Sequence, residues 1–485
     1  MTEATNMKTP GQMDKFPLLI DGCWEAGEGT PFSLLNKYTL QPVADIATPS
    51  DAQLARAIEA AAGAFITGAP TPYERGTILQ TASRLVAEQR AEFVRIMQME
   101  AGFTASDANG EIGRCIETLR LSAEEARRLA GDVIPMEGAP NQSGRLAFTL
   151  RVPLGVVAAI TPFNAPLNTV AHKIAPAFAA GNSVILKPSS NTPLTALKLC
   201  EVLVEAGMPT GFLSLVQGGA RVAEALLADQ RIRFFAFTGS TEVGRSIQQA
   251  AGLRRTQMEL GSIAFTLLCE DADLEKALPK IGSAGYRKAG QVCTSVQILL
   301  VQRTIFSEVQ DRLAKIVASL AYGDPANPDT VVGPLISEKE AIRIENWIEE
   351  AIAGGARKLA GGTREGAVIT PTLLTGIDPA MKVGGCEIFG PVVCLEPFDT
   401  LEEAIDRVNS TPFGLASGIF TQRIDNAFKS ALKLEVGGVH INETSSSRVD
   451  MMPYGGSKDS GFGREGPRYA VHEMTEERVI TITLG

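Results

Sequence analysis

The sequence predicts an α/β protein with two layers of parallel strands and a functional cleft between them. Three observations carry this: apolar strand-like runs each followed by a helical pattern, a second such series further on, and a length of 485 residues, too great for one hydrophobic core. In the first series Gly155–Thr161 precedes a helix through Thr169–Ala180, Ser183–Lys187 precedes Pro193–Glu205, and Phe234–Thr238 precedes Thr241–Ala251. Their near-continuous apolar character is that of strands buried on both faces. The second series runs from Thr266 to Phe420, with helices around Thr304–Leu320 and Ser337–Ala353. Upstream, apolar residues recur at helical spacing over Ala52–Ala64 and Tyr73–Gly102, and Ile112, Ile116, Leu119 and Ala123 mark one face of a helix over Ala108–Gly131. Arg145–Val152 and Val479–Leu484 alternate apolar and polar residues instead. Isolated, such ribbons leave unpaired edges, so they are expected to pair with each other or with another subunit.

Composition excludes several functions. A formal charge of −10 argues against non-specific nucleic-acid binding, which needs a basic face. The seven cysteines form no CxxC pair and read mostly as free thiols of a reducing compartment. With only His172, His440 and His472 present, a Cys/His metal cluster or a Ser-His-Asp hydrolase is hard to assemble. The first dozen or so residues are polar, lack a signal-peptide core and are expected to be a mobile lead-in. No stretch reaches the ~18 apolar residues of a membrane span. The expectation is a cytoplasmic protein with no membrane or nucleic-acid partner.

Four features invite a chemical reading, and each alone has a plain one. Gly239 lets the chain turn after its strand, and the helix behind it offers free amides to a phosphate; G-S-T-E-V-G is also an ordinary strand-to-helix turn. Lys187 ends a strand beside the crevice of an open sheet, where a cofactor or simply solvent would meet it. Cys293, in A-G-Q-V-C-T-S, has the residue chemistry of a nucleophile, although a lone cysteine is more often structural. Glu259, in Q-M-E-L-G with Gly261 permitting a sharp turn, would by itself pass for a surface glutamate.

The ordered set changes that reading. Thr161–Asn168 (T-P-F-N-A-P-L-N), Ile185–Ser189 (I-L-K-P-S), F-T-G-S-T-E-V-G, Met258–Ser262 (M-E-L-G-S) and G-Q-V-C-T-S are followed by Glu387–Val392 (E-I-F-G-P-V), Pro412–Ser417 (P-F-G-L-A-S) and Pro453–Gly466 (P-Y-G-G-S-K-D-S-G-F-G-R-E-G). From about Leu18 onward the chain resembles the aldehyde dehydrogenase superfamily, in the branch of succinate semialdehyde and lactaldehyde dehydrogenases. The 34-residue spacing between Glu259 and Cys293 also fits that family.

The resemblance implies a fold of two Rossmann-like parallel-sheet domains with a small β-ribbon oligomerisation element. Residues 16–132 and 153–259 would bind the dinucleotide and 260–437 would form the catalytic domain. Residues 133–152 and 473–485 would be the oligomerisation strands, and 438–472 a substrate-anchor loop and return segment, in a homodimer or homotetramer. It also implies roles. Cys293 adds to the aldehyde, Asn164 and the Cys293 backbone N–H hold the alkoxide, and Glu259 activates water against the thioester. The cofactor, NADP or NAD, falls to Thr161, Pro162, Phe163, Lys187, Ser189, Ser190, Thr238, Gly239, Ser240, Val243, Leu260, Gly261, Glu387 and Phe389. Ser190 stands where the family usually has an acidic residue that would repel a 2′-phosphate, so NADP is expected to be accepted and even preferred.

Arg114 and Arg448 fall at pocket-lining family positions, and two guanidiniums converging on one pocket favour an anion. Ala165, His172, Val292, Thr294, Ser447 and Tyr454 are expected beside them, with Ser445 and Ser446 as further donors. A short aldehyde with an acidic tail fits: succinate semialdehyde, a sulfo- or phosphono-aldehyde, or a triose-phosphate-like compound; a lactaldehyde-like substrate, uncharged, is implied by the branch resemblance alone. Two rivals stay open, a CoA-acylating dehydrogenase and a non-catalytic binding or structural member of the fold. A cofactor-free cysteine hydrolase lacks a histidine motif near Cys293.

Overall fold

Local rules set the helices that frame the first sheet. The computed structural model describes residues 15–484, so the N-terminal lead-in lies outside the described residues. The helices Asp51–Thr67, Pro72–Glu88 and Ala105–Arg128 each start at a reciprocal cap, Ser50 with Gln53, Thr71 with Glu74 and Thr104 with Asp107. The helical pattern over residues 73–102 is two helices rather than one. Gln89 leaves helical geometry between Pro72–Glu88 and Arg90–Ala101, because both segments bury their apolar faces without sharing one axis.

The first sheet has eight strands. Its parallel centre runs Arg255–Glu259, Ile232–Thr238, Val156–Ile160, Ser183–Lys187, Leu213–Leu215, and short antiparallel strands close both edges. Val157, Ala159, Val184, Leu186, Phe234 and Ala236 pack on one face, and Ala158, Ile160, Ile185, Phe235 and Phe237 on the other. Helices cover both faces, which is why these strands carry no polar stripe.

The second sheet has seven strands. Six are parallel, in the order Thr372–Thr375, Val392–Phe398, Val296–Gln302, Ala264–Leu268, Ala416–Phe420, Gly438–Ile441, and Arg357–Ala360 pairs antiparallel at one edge. The two alternating ribbons pair with each other, Arg145–Pro153 antiparallel to Thr475–Thr483, with Val133–Ile134 added on the far side.

One turn of the second layer needs special backbone. After the helix Leu274–Tyr286, the residues Lys288, Ala289 and Gly290 all take positive φ, 52°, 52° and 69°. Gly290 is the tightest: a Cβ there would lie 2.0 Å from the Gly390 carbonyl oxygen. This turn delivers Cys293. Gly290→Ala is expected to cost more than the ~1 kcal/mol of a left-handed non-glycine residue, because the clash adds to it. An unchanged denaturant midpoint would contradict this account of the turn.

Candidate active site

Parallel pairing brings the carboxyl ends of four strands to one edge of the first sheet. Ile160 sits opposite Lys187, and Thr238 opposite Glu259, so Thr161, Lys187, Thr238 and Glu259 all open on one crevice. The turn Arg287–Ser295 of the second layer faces it.

Cys293 is half-buried between two recesses. On one side lies a cavity of about 190 Å³ shared with Asn164, Ala165, Glu259, Val292, Thr294 and Tyr454. On the other are Ser262, Glu387 and Phe389. Burial pushes the Cys293 thiol up to about 11; the Tyr454 hydroxyl, 2.8 Å from the sulfur, and the Arg448 cation oppose that rise. Glu259 is 3% exposed, and neither carboxylate oxygen has a partner. Burial first, and the Glu465 carboxylate second, push its proton affinity well above the usual carboxylate range. Such a carboxylate can take a proton from water near neutral pH.

Asn164 is fixed by its backbone. The Lys288 ammonium, in the same turn as Cys293, donates to the Asn164 carbonyl oxygen at 3.0 Å and to Glu111 at 2.8 Å. Glu111 in turn accepts from the Asn168 N–H at 2.8 Å. One buried ion pair therefore ties the Cys293 turn to the loop carrying Asn164.

The two predicted arginines both line the cavity but are already neutralised. Arg114 grips Asp450 through two nitrogens, at 2.8 and 3.2 Å, and Arg448 lies 2.8 Å from Glu465. Of the cations lining this cavity, Arg287 pairs with no carboxylate among the described residues, and its guanidinium donates to Ser446 Oγ at 2.6 Å. Sequence reasoning did not single it out; its place six residues before Cys293 was the available signal.

Two other residues expected in the pocket lie outside its lining. His172 is fully buried, with Nε2 2.9 Å from Asp450 and 3.2 Å from Thr118, and burial lowers its basicity, so it serves as a neutral prop for Asp450. Ser447 is displaced from the lining by Ser446, which turns its hydroxyl toward Arg287 and Thr294.

The cofactor side offers unengaged polar groups. Thr161 Oγ1 and Ser262 Oγ are buried without partners. Lys187 donates only to its neighbour's carbonyl, and burial lowers its amine to about 8. Glu387 accepts from the Ser262 N–H at 2.9 Å, and burial raises its carboxyl to about 7. Ser190 donates to the Gly218 carbonyl, and Ser189 accepts from Asn191 N. Pro162 and Phe163 are half-buried, and the Phe163 ring meets Phe389 edge-on at 5.7 Å. Donors and acceptors with spare capacity in an open-sheet crevice fit a dinucleotide.

The turn role expected of two glycines on this side changes. Gly239 and Gly261 adopt no left-handed backbone. A Cβ on Gly239 would strike the Phe237 ring at 2.5 Å, and one on Gly261 would crowd a Glu387 oxygen at 2.9 Å, so both glycines make room rather than turn the chain. Ser240 caps its helix by accepting from the Val243 N–H, and Val243 itself is exposed. Thr238 and Leu260 line the cavity beside Glu259, where Thr238 donates to Glu465.

A thiol set between a nucleotide crevice and a closed polar pocket defines a class: a cysteine-centred oxidoreductase. Residues 24–480 match the aldehyde dehydrogenase family, and the chain belongs to it as an NAD(P)-dependent oxidoreductase of aldehydes. It is 44% identical to a 3-sulfolactaldehyde dehydrogenase of Priestia aryabhattai, over 98% of this chain and 99% of that one. Among solved structures, an aldehyde dehydrogenase from Physcomitrella patens in complex with its reaction product succinate superposes with a TM-score of 0.95, at 36% identity over 97% of this chain and 99% of that one. A glyceraldehyde-3-phosphate dehydrogenase from Methanocaldococcus jannaschii complexed with NADP gives 0.90, also at 36% identity, over 94% of this chain and 100% of that one.

The ion pair under Asn164 yields a test. Lys288→Met leaves Glu111, 2% exposed, without its cation. The expected loss is about 3–5 kcal/mol of stability, with kcat reduced roughly 100-fold as Asn164 drifts. Denaturant unfolding and steady-state kinetics check both; wild-type kcat would show that Lys288 does not position Asn164.

Proposed function

We propose that this enzyme oxidises a short aldehyde with an anionic tail to its carboxylic acid, using NADP+ or NAD+. The observation that carries the anionic tail is Arg287, a pocket guanidinium with no carboxylate partner. An unpaired cation facing a closed cavity is stabilised by an anion, and its fork suits carboxylate, sulfonate or phosphate. The names of the three relatives support the same class: sulfolactaldehyde, succinate as product, and a phosphorylated triose.

Cys293 Sγ attacks the carbonyl carbon, and the resulting alkoxide accepts hydrogen bonds from the Asn164 amide and the Cys293 N–H. Each such donor typically contributes about 3–4 kcal/mol. Bound in the crevice, the nicotinamide supplies the hydride acceptor. Loss of hydride from the carbon leaves a thioester on Cys293. Glu259 then takes a proton from water as its oxygen adds to that carbon, and the C–S bond breaks to release the acid. Its unengaged oxygens favour water over CoA as the acceptor, and turnover unaffected by added CoA is the matching expectation.

Lys187 and Glu387 would hold ribose hydroxyls, Phe389 would flank the nicotinamide ribose, and Ser190 would leave room for a 2′-phosphate. The relative complexed with NADP supports that choice. Self-association is part of the reading. Val133, Leu146, Leu150 and Ile482 present one apolar ribbon face, 76%, 44%, 43% and 41% exposed, which a second copy would cover in a homodimer or homotetramer. Among the described residues no helix is long and apolar enough to cross a membrane. We place the enzyme in the cytoplasm, in keeping with its free cysteines.

Two measurements test this. Arg287→Gln is expected to raise KM for anionic aldehydes about 10- to 100-fold, the worth of one charge-assisted hydrogen bond, and to leave uncharged aldehydes unaffected. Higher wild-type kcat/KM for neutral aldehydes would refute the anionic tail. For the cofactor, Lys187 is charged below about pH 8 and neutral above it. NADP affinity is therefore expected to weaken as pH rises through about 8, and Lys187→Met to remove that dependence. A flat wild-type profile in titration binding assays would discount the contact.

A further inference from the structure

The Cys293 sulfur has a partner that the sequence of steps above leaves unused. Tyr454 Oη lies 2.8 Å from Sγ. The tyrosine is held from three directions. Its backbone N–H and carbonyl both pair with Glu465, at 3.1 and 2.6 Å. The Arg448 guanidinium stacks 3.7 Å from its ring centroid, and the hydroxyl rests on the sulfur. Arg448 is itself held by Glu465 at 2.8 Å. These contacts fix the ring and leave the hydroxyl directed at the sulfur.

Phenol and thiol differ as donors. O–H is the stronger donor, and a sulfur anion is a good acceptor, so the pair is most stable with charge on sulfur and the proton on oxygen. Charge sits on this sulfur at two moments, before attack and when the C–S bond of the tetrahedral adduct breaks and its electron pair returns to sulfur. Four groups bear on it: Tyr454 and Arg448 favour the anion, and Glu259 and Glu387 oppose it. A neutral donor in contact helps most at the second moment, when Glu259 already holds the proton taken from water.

We propose that Tyr454 is a catalytic residue of thioester breakdown, donating a hydrogen bond to Cys293 Sγ as the thiolate departs. Its hydroxyl does for the leaving sulfur what Asn164 does for the alkoxide. The proposal rests on the reading of Cys293 as the nucleophile. It also explains a tyrosine, with a polar end, in a place where an apolar ring would line the pocket as well.

Tyr454→Phe keeps the ring under Arg448 and removes only the hydroxyl. Iodoacetamide labelling is followed on the tryptic segment Ala289–Arg303, which contains Cys293 and no other cysteine. The pH of half-maximal labelling in the variant is expected to rise by about one unit, one charged hydrogen bond's worth. In rapid mixing with aldehyde and NADP+, the initial burst of reduced nicotinamide persists and the steady phase after it slows about tenfold. An unmoved labelling profile, or a steady phase as fast as wild type, overturns the proposal. The two readings fail separately: a Cys293→Ala variant that still turned over would overturn the nucleophile, whatever Tyr454 does.

Discussion

A buried ammonium holds the two halves of this site together. Cys293 belongs to the second layer and Asn164 to the first, and the proposed reaction needs both to aim at one oxygen atom of the aldehyde. Lys288 spans them, bonded to Glu111 and to the Asn164 carbonyl, with the Phe103 ring 4.4 Å away on its apolar side. A buried pair of this kind adds little net stability against an apolar alternative. What it provides is registry, because a charge with fixed partners tolerates displacement poorly. The left-handed turn that carries Lys288 has the same logic, since no regular helix end would bring both its ammonium and the Cys293 amide to one side.

Behind the pocket runs a second buried chain of charge: Arg114 to Asp450, His172 beside them, then Arg448 to Glu465 and on to Lys173 at 2.7 Å. Each anion has a cation, so these groups are structural in charge and rigid in place. Lys173 also donates to Gln257, which ties the chain to the strand that ends in Glu259. Apart from this chain, Arg287 is the cavity-lining cation that has no carboxylate partner among the described residues. The proposed selectivity for an anion therefore rests on one unmatched group.

The sequence made the architecture readable and the electrostatics only partly so. Strand–helix alternation announces itself because burial on both faces demands apolar runs, and the ribbons announce themselves because one-sided exposure demands alternation. The ordered motifs singled out Cys293, Glu259 and Asn164, and the structure places all three on one cavity. Ion pairs were not. Arg114 and Asp450 stand 336 residues apart, and nothing local to either tells whether an arginine is spent on a partner. The same limit turned His172 from a pocket residue into a prop, and left Arg287 unremarked. The roles of Gly239 and Gly261 failed for a related reason: a glycine is marked by sequence, but whether it turns the chain or clears a neighbour depends on what packs against it.

Glu259 and Glu465 show how far environment outweighs residue type. Both are glutamates with almost no exposure in one neighbourhood, and they repel each other. Burial opposes the charge of each. Lys173 and Arg448 grip Glu465 and hold it well below the usual range, and Glu259, without a single donor on either oxygen, is driven well above it. The ionised partner therefore raises the proton affinity of the other, since two negative charges side by side in a dry pocket are costlier than one. Two identical carboxyls become a fixed counter-ion and a group of raised proton affinity, which is what the proposed base requires. Lys173 and Arg448 lower both carboxyls, but of the two they are in contact with Glu465 alone, so that residue is the one kept ionised, and its charge holds the proton affinity of Glu259 up.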